Sequence, residues 1–226
     1  MCGRFTQFSD VDVLITQFGL AQPPHDLSPR YNIAPTQNIA IVREIAGLGR
    51  HLDYVHWGLI PSWSKDSKIS SHLINARAET LAEKPAFRSA YRHKRCLIPT
   101  DGFYEWAVSD RGKQPWWIAM ADQSPFAFAG LWEHWESPED GRLVESCTII
   151  TTESNRQIKP LHERMPLIIS PDHYAVWLDP AIDQPQQLNS MLAPYIGELH
   201  LHPVSRDVNS PLKDNHHLIE AVELDG

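Results

Sequence analysis

The stretch CLIPTDGFYEW, Cys96 to Trp106, carries the pattern on which the fold prediction rests. Its first part, Cys96 to Pro99, is predicted to be a short strand, and Asp101-Gly102 follows it as a turn signal. Further short strands, separated by turn-rich segments, are predicted at Pro115 to Met120, Pro125 to Trp132 and Glu145 to Thr152. This succession of strands favours a β-rich mixed fold.

Other predicted elements flank this run on both sides. A capped helix is expected from Ser9 and Asp10 to Phe18, where Gly19 ends it. A second helix is expected from Thr80 to His93, with Pro85 in its first turn. The remaining predictions are strands at Ile39 to Ile41, Leu52 to Trp57 and Glu198 to Leu201, and helices at Pro171 to Leu178 and Gln186 to Leu192.

Length and composition indicate one domain, residues 1–226. The chain has 226 residues, of which 42% are hydrophobic, enough for one sizeable core. It contains no apolar run long enough for a membrane span and no signal region, so we expect a cytoplasmic protein without membrane contact. Three widely spaced cysteines argue against a disulfide framework and for a reducing compartment.

The formal net charge of −8 argues against a broad basic surface that wraps duplex DNA. A small basic groove remains compatible with this charge. The densest positive run consists of Arg88, Arg92, Lys94 and Arg95, and both a solvated helix end and a phosphate contact fit it.

The N-terminal residues Met1-Cys2-Gly3-Arg4 suggest a specific chemistry. Removal of Met1 would give Cys2 a free α-amine beside its thiol, and such a 1,2-aminothiol condenses with an aldehyde to an imine and then to a thiazolidine. An α-amine has a pKa of roughly 7.7 to 8.0 against about 10.4 for lysine, so it is the better nucleophile at neutral pH. An N-terminal cysteine in a frayed chain end is the competing interpretation.

Three further positions are candidates for proton transfer or a polar pocket. Glu105 lies among Phe103, Tyr104 and Trp106; if it is buried with them, its ionisation is costly and its pKa should rise. An exposed carboxyl between buried aromatic residues fits the same pattern. His162, close to an arginine before a buried strand, is a candidate proton donor. In the extended stretch from Asn75 to Glu79, alternate polar residues share one face.

Six motifs, in chain order, together resemble the SRAP family, the SOS-response-associated peptidases, also called abasic site processing proteins. The motifs are Met1-Cys2-Gly3-Arg4-Phe5, Arg30-Tyr31-Asn32-Ile33-Ala34-Pro35, Trp57-Gly58-Leu59-Ile60-Pro61, Asn75-Ala76-Arg77-Ala78-Glu79-Thr80, Asp101-Gly102-Phe103-Tyr104-Glu105-Trp106 and His162-Glu163-Arg164-Met165-Pro166. They span residues 2–209 and leave residues 210–226 as a C-terminal tail.

The resemblance implies a single-domain α/β (α+β) fold with curved, mainly antiparallel sheets, peripheral helices and a groove for single-stranded DNA. It implies that the protein senses abasic sites in DNA damage repair and the SOS response, crosslinks them covalently, and has (auto)peptidase, hydrolase and lyase-like activity. The catalytic residues that it implies are Cys2, Asn75, Glu105 and His162. The residues that it places at the DNA are Arg4, Asn32, Trp63, Arg77, Trp106, Thr151 and Arg164.

The sequence departs from some relatives at two points. Trp63-Ser64 stands where some relatives have two adjacent tryptophans, so the sequence does not decide which side chain stacks on a base. Pro85 stands where some relatives have a basic residue, and Lys84 is the candidate to replace that residue. We expect a monomer that needs no cofactor and no metal, and that associates with the nucleoid when it binds DNA.

Two other functions fit parts of the sequence. Class II glutamine amidotransferases also begin Met-Cys-Gly, so an N-terminal-nucleophile amidohydrolase is one alternative. A noncovalent single-strand-binding module is the other. A metal site is the weakest interpretation, because the pairs His200 with His202 and His216 with His217 lack recognisable further ligands at zinc spacing.

Overall fold

The computed structural model describes residues 2–109 and 112–224. Its strands are β1 Phe5–Gln7, β2 Arg30–Ile33, β3 Asn38–Ile45, β4 Gly49–Trp57, β5 Asn75–Arg77, β6 Arg95–Thr100, β7 Gly102–Ser109, β8 Gly112–Met120, β9 Phe126–Glu136, β10 Leu143–Glu153, β11 Arg164–Pro166, β12 Ile168–Ile169 and β13 Leu199–Pro203. The α-helices are α1 Val11–Phe18, α2 Arg88–His93 and α3 Tyr174–Leu178. Short 3₁₀ helices occupy Lys68–His72, Ala78–Thr80, Pro171–His173, Pro185–Leu192, Arg206–Asn209 and His216–Ile219.

The strands form two sheets, and part of the larger sheet closes into a small barrel. The smaller sheet has the order β13-β8-β7-β1-β2. In the larger sheet, β4, β3, β6, β9 and β10 follow one another, and β10 pairs with both β9 and β4, which closes the ring. Among the named strands of the described residues, all pairings are antiparallel except those of β10 with β4 and β5, which are parallel. The expected β-rich single-domain α+β fold with mainly antiparallel sheets is therefore confirmed.

Strand β6 and most of β9 and β10 are buried on both faces, so their buried residues are continuous rather than alternating with exposed ones, whereas β4 is largely half-buried. In β6, Leu97 belongs to the cluster that includes residues of all three helices, whereas Ile98 belongs to the cluster shared with the smaller sheet. Phe5 of β1 packs edge-on against Trp57 at 5.3 Å and against Phe128 at 5.9 Å between ring centroids. This second cluster includes Cys2 and fixes the start of the described chain against the barrel.

The predicted helices agree with the structure in part. Helix α1 ends at Gly19, whose φ of 62° is in the left-handed region that glycine favours. Ser9 does not cap this helix, because its hydroxyl donates to the Asp101 carboxylate. The helix predicted from Thr80 was wrong over its first half, and α2 begins only at Arg88. Pro85 disfavours helical backbone at the residue before it and lacks an N–H donor, which explains the late start.

The basic run around α2 has a largely structural role. Arg95 is 4% exposed and donates to the carbonyls of Tyr91, Arg92, Trp177 and Asp179. Lys94 pairs with the Glu133 carboxylate. Only Arg88 and Arg92 of this run are exposed.

Cys2, Cys96 and Cys147 are free and buried. Among the helices of the described residues, none has the length and apolar character needed to cross a bilayer.

Candidate active site

Five strands bring the predicted catalytic residues together. Strand β1 pairs with β7, and the Tyr104 N–H donates to the Arg4 carbonyl at 3.0 Å, so the Cys2 segment runs beside Glu105. Strand β10 pairs with β5 on one side and with β11 on the other. Asn75 begins β5, and His162 lies two residues before β11.

Cys2 is fully buried and is held by the side chain of Asn75. The Nδ2 group of Asn75 donates to the Cys2 carbonyl oxygen at 2.9 Å. The other amide atom, Oδ1, is buried and has no hydrogen-bond partner among the described residues. A buried acceptor without a donor is costly, so this oxygen is suited to receive a donor that arrives during a reaction. Met1 lies outside the described residues.

Burial governs the protonation of the two reactive groups. It raises the pKa of the Cys2 thiol, and the negative charge of Glu105 raises that pKa further. Burial also raises the pKa of the Glu105 carboxyl, and the nearby His162 opposes part of this shift. Both effects follow from the cost of charging a group that water does not reach. The thiol therefore stays protonated at neutral pH, and Glu105 is suited to exchange protons.

His162 has its ring orientation fixed by the main chain. The Arg164 N–H donates to His162 Nδ1 at 2.9 Å. The Arg164 carbonyl oxygen lies 3.1 Å from the same Nδ1 atom. An N–H only donates and a carbonyl only accepts, so these two contacts orient the ring without deciding which ring nitrogen carries the proton. His162 and Glu105 line a cavity of about 400 Å³, together with Trp106, Lys113 and Asn209.

Arg164 is the centre of a polar network beside this cavity. Its guanidinium contacts both carboxylate oxygens of Glu79, through Nη1 at 2.5 Å and Nη2 at 3.1 Å, and Nη2 also donates to the Thr151 carbonyl at 2.6 Å. Arg164 lowers the pKa of Glu79 through these hydrogen bonds. Arg164 therefore connects β10, the Ala78–Thr80 turn and the backbone that holds His162.

Two of the residues predicted to contact DNA are closed to solvent. Asn32 is 0% exposed, and its Nδ2 donates to the carbonyls of Ser210 at 2.9 Å and Lys213 at 2.7 Å. Thr151 is 1% exposed and lies within strand β10. Neither side chain reaches the surface: Asn32 anchors the C-terminal segment, and Thr151 accepts hydrogen bonds from Arg164. Contact of these two residues with DNA stays a prediction.

Arg4 is half-buried rather than free in a groove. Its Nη1 donates to Asn32 Oδ1 at 2.7 Å and to the Val208 carbonyl. Burial lowers the pKa of this guanidinium. Arg4 therefore links the N-terminal residues to the segment that contributes Asn209 to the cavity.

The remaining predicted residues are accessible. Arg77 is exposed and forms no ion pair within residues 2–109 and 112–224. Trp63 is 59% exposed, with its indole N–H 3.5 Å from the Pro85 carbonyl. Trp106 lines the cavity and donates from Nε1 to Asn209 Oδ1 at 2.8 Å.

Sequence reasoning did not identify Lys113 or Asn209 as cavity residues. Lys113 reaches the cavity because β7 and β8 form a hairpin that places it opposite Val108. Asn209 is held there by Trp106, far away in sequence. The hydrophobic pattern contains no signal for either position, since both depend on pairing between distant segments.

Comparison with known proteins agrees with the resemblance that the motifs carry. The chain matches the sequence profile described as SOS response associated peptidase (SRAP) over residues 1–211. The chain belongs to the SRAP family. The matched range includes every candidate site residue described above, from Cys2 to Asn209.

Several curated SRAP relatives cover nearly the whole chain. Abasic site processing protein YoqW of Bacillus subtilis (strain 168) is 46% identical over 226 residues, covering 98% of this chain and 100% of its own length. Abasic site processing protein YedK of Escherichia coli (strain K12) is 31% identical, covering 98% of this chain and 100% of its own. Abasic site processing protein HMCES of Xenopus tropicalis is 30% identical, covering 87% of this chain and 67% of its own.

A solved structure has the same fold. The crystal structure of a protein from Bacteroides thetaiotaomicron superposes with a TM-score of 0.88 and 24% identity, covering 98% of this chain and 100% of the other. At this identity the likeness concerns the SRAP fold alone.

Proposed function

We propose that this SRAP protein processes abasic sites by linking Cys2 covalently to the ring-opened lesion in single-stranded DNA. The observation that carries the proposal is the position of Cys2. Its carbonyl oxygen accepts a hydrogen bond from the Asn75 side chain, and the charge of Glu105 raises the pKa of its thiol. The relatives named abasic site processing proteins support the substrate class.

The first step opens the deoxyribose ring. An abasic site is mostly a closed hemiacetal, so the C1′ hydroxyl must lose a proton and the ring oxygen must gain one as the C1′–O4′ bond breaks. A ring N–H of His162 supplies a donor, and Glu105 accepts or returns the proton. The two main-chain contacts of Arg164 that orient the His162 ring beside Glu105 support this division of roles.

The second step joins the protein to C1′. After Met1 is removed, the neutral Cys2 amine attacks the aldehyde, and loss of one water gives an imine. The thiol then adds to the imine carbon, its proton moves to nitrogen, and a thiazolidine results. The raised pKa of the thiol favours this order, because a protonated thiol is a poor first nucleophile.

Asn75 and the buried geometry assist both bond-forming events. Asn75 Oδ1 is a buried acceptor that receives no hydrogen bond from the residues that the structure describes. The N–H of the Cys2 amine or the hydroxyl of the carbinolamine intermediate can therefore donate to it. Holding amine, thiol and aldehyde together also raises their effective concentration, which is worth several kcal/mol or more.

DNA is held through phosphates, without reading of base sequence. Arg77 offers an exposed cation and Arg4 a half-buried one. Arg164 is paired with Glu79 and would add a third cation on exchanging this carboxylate for a phosphate. Trp63 and Trp106 are candidate stacking surfaces. A single strand suits this site because its lesion needs no unstacking from a duplex.

Removal of Met1 is a peptide hydrolysis, which we assign to the Cys2 site itself as the peptidase activity of this protein. A methionine aminopeptidase is the competing agent, because Cys is a small second residue. Retention of Met1 in a Glu105→Ala variant would support self-processing. Complete removal of Met1 in that variant would contradict it.

Intact mass spectrometry of the purified protein tests the main proposal. Incubation with a single-stranded oligonucleotide that contains one abasic site should give a one-to-one adduct lighter than the sum of both by one water. Digestion should map the adduct to Cys2, and Cys2→Ala should bind the same oligonucleotide without forming it. A heat-resistant adduct of Cys2→Ala would contradict the proposal.

A glutaminase assay separates the main alternative. An N-terminal-nucleophile amidohydrolase would release ammonia from glutamine and form no adduct with the oligonucleotide. Noncovalent binding alone, with Met1 removed, would indicate a simple single-strand-binding module.

A further inference from the structure

We propose that His216, His217 and Glu220 form a binding site for a divalent first-row transition-metal ion, with zinc as the probe of choice. The sequence indicated no metal site because the adjacent histidines lacked a further ligand. In the structure the third ligand is Glu220, which follows them by three and four residues and lies just after the C-terminus of their short 3₁₀ helix.

The three ligand groups already converge. The Nδ1 atom of His217 lies 3.0 Å from Glu220 Oε1, and the Nε2 atom of His216 lies 3.8 Å from the same oxygen. One ligand atom from each residue lies within 4.8 Å of the others. In a tetrahedral site with metal–nitrogen bonds of about 2.0–2.1 Å, ligand atoms are separated by roughly 3.3 Å. The observed separations bracket this value, so only side-chain rotations are needed to surround an ion.

The two imidazole rings are also placed for ligation from adjacent positions. Their centroids are 3.8 Å apart with 40° between the planes, so both rings lie on the side of the turn that Glu220 occupies. The three side chains are exposed, and solvent can therefore supply the remaining ligands.

The backbone that carries these ligands is anchored. The Asn215 side chain accepts from the His217 N–H at 3.2 Å, and Leu218, between the ligands, is 2% exposed. Beyond Glu220, Ala221 forms a bridge with Val204, and the Val222 N–H donates to the Pro203 carbonyl at 3.0 Å. Fixed ends on both sides reduce the entropy that the ligands lose when they bind an ion.

The donor set selects the class of metal. Two imidazole nitrogens and one carboxylate suit zinc, copper or nickel, whereas magnesium and calcium prefer oxygen ligands alone. One carboxylate leaves the site at a net charge of −1 when both imidazoles are neutral, which attracts a dication. An ion bound here would stabilise the folded chain, since binding to the native state alone raises its apparent stability.

Zinc titration of the full-length protein, without an affinity tag, tests this site. The Cys2→Ser background is used, because a free aminothiol would itself chelate zinc. Calorimetry should show one equivalent of zinc bound, and zinc should raise the Tm. Removing even an outer partner of a metal ligand lowers metal affinity roughly 10- to 100-fold, so His217→Ala and His216→Ala should each weaken binding by at least about tenfold.

Matched controls are available on the same chain. His93 and His173 are exposed histidines on other elements, and their alanine variants should bind zinc as the parent does. Glu220→Gln keeps the shape of the side chain and should weaken binding without lowering the Tm measured with a chelator present. Unchanged zinc affinity in the His216, His217 and Glu220 variants, or no binding by the parent, would overturn the proposal.

Discussion

The side-chain amide of Asn75 donates to the main-chain carbonyl of Cys2 at 2.9 Å, joining two residues 73 positions apart. One half of the amide thus fixes the residue that we propose as nucleophile, and the other half remains available to a reacting group. This division makes Asn75 a positioning residue whose loss should affect rate more than affinity.

Asn75→Ala should slow adduct formation by about 3- to 10-fold, since one net hydrogen bond is worth roughly 0.5–1.5 kcal/mol. The affinity for an intact single strand should change little, because Asn75 is not expected to contact phosphate. Single-turnover crosslinking and fluorescence anisotropy measure the two quantities. An equal loss of crosslinking rate and of DNA affinity would show that Asn75 has only a general structural role.

Glu105→Gln should stabilise the protein at alkaline pH while slowing the crosslink. Burial raises the native pKa of Glu105 above its unfolded value of about 4.3, so the native state binds more protons. The stability that this carboxyl contributes is fully present below pH 4.3 or so and is lost as pH rises through the native pKa. The variant should therefore have a higher Tm than the parent at pH 8 and an equal Tm at pH 4. A lower Tm for the variant at pH 8 would contradict the effect of burial.

Glu79→Gln should strengthen the electrostatic binding of DNA. The change frees Arg164 from its paired carboxylate, so one more cation can meet a phosphate. The slope of log affinity against log salt should steepen by about 0.7 for single strands, and Arg77→Ala should flatten it by a similar amount. Stability should fall by less than about 1 kcal/mol, because Glu79 is half exposed. A salt slope that does not change in Glu79→Gln would show that Arg164 stays away from phosphate.

Arg95→Met should destabilise the fold without changing DNA affinity. The variant loses a buried guanidinium that satisfies four main-chain carbonyls, and roughly 3 kcal/mol or more of unfolding free energy should be lost. Urea denaturation measures the change. Arg88→Ala, an exposed residue of the preceding helix α2, is the matched control and should stay within about 0.5 kcal/mol of the parent.

Asn32→Ala should loosen the C-terminal segment. Without the amide, the carbonyls of Ser210 and Lys213 lose their donor, and residues 206–214 should become more sensitive to protease. Crosslinking should also slow, because this segment carries Asn209 into the cavity. A protease pattern identical to that of the parent would show that other contacts suffice.

The sequence was informative wherever local patterns decide the outcome. Short apolar runs and turn residues located the main strands. The aromatic residues around Glu105 suggested a buried carboxyl, and this side chain is 2% exposed. Pro85 is also a local signal, since it disfavours helical backbone at the residue before it, but the predicted helix did not take it into account and began too early. By contrast, the burial of Asn32 and Thr151 and the position of Lys113 depend on long-range pairing. A single sequence contains no record of which distant carbonyls an amide will meet.

Strand β10 has a consequence for how this protein can change. Ile149 and Thr151 pair with Asn75 and Arg77 of β5, while Thr152 and Glu153 pair with Met165 and Arg164 of β11. The distance between Asn75, which begins β5, and His162, which precedes β11, therefore depends on the register of β10 with these two strands. Insertions in the exposed turn between β9 and β10 can be accommodated without moving either residue. Deletion of a single residue from the end of β10 would reverse the facing of its side chains and separate the two halves of the site.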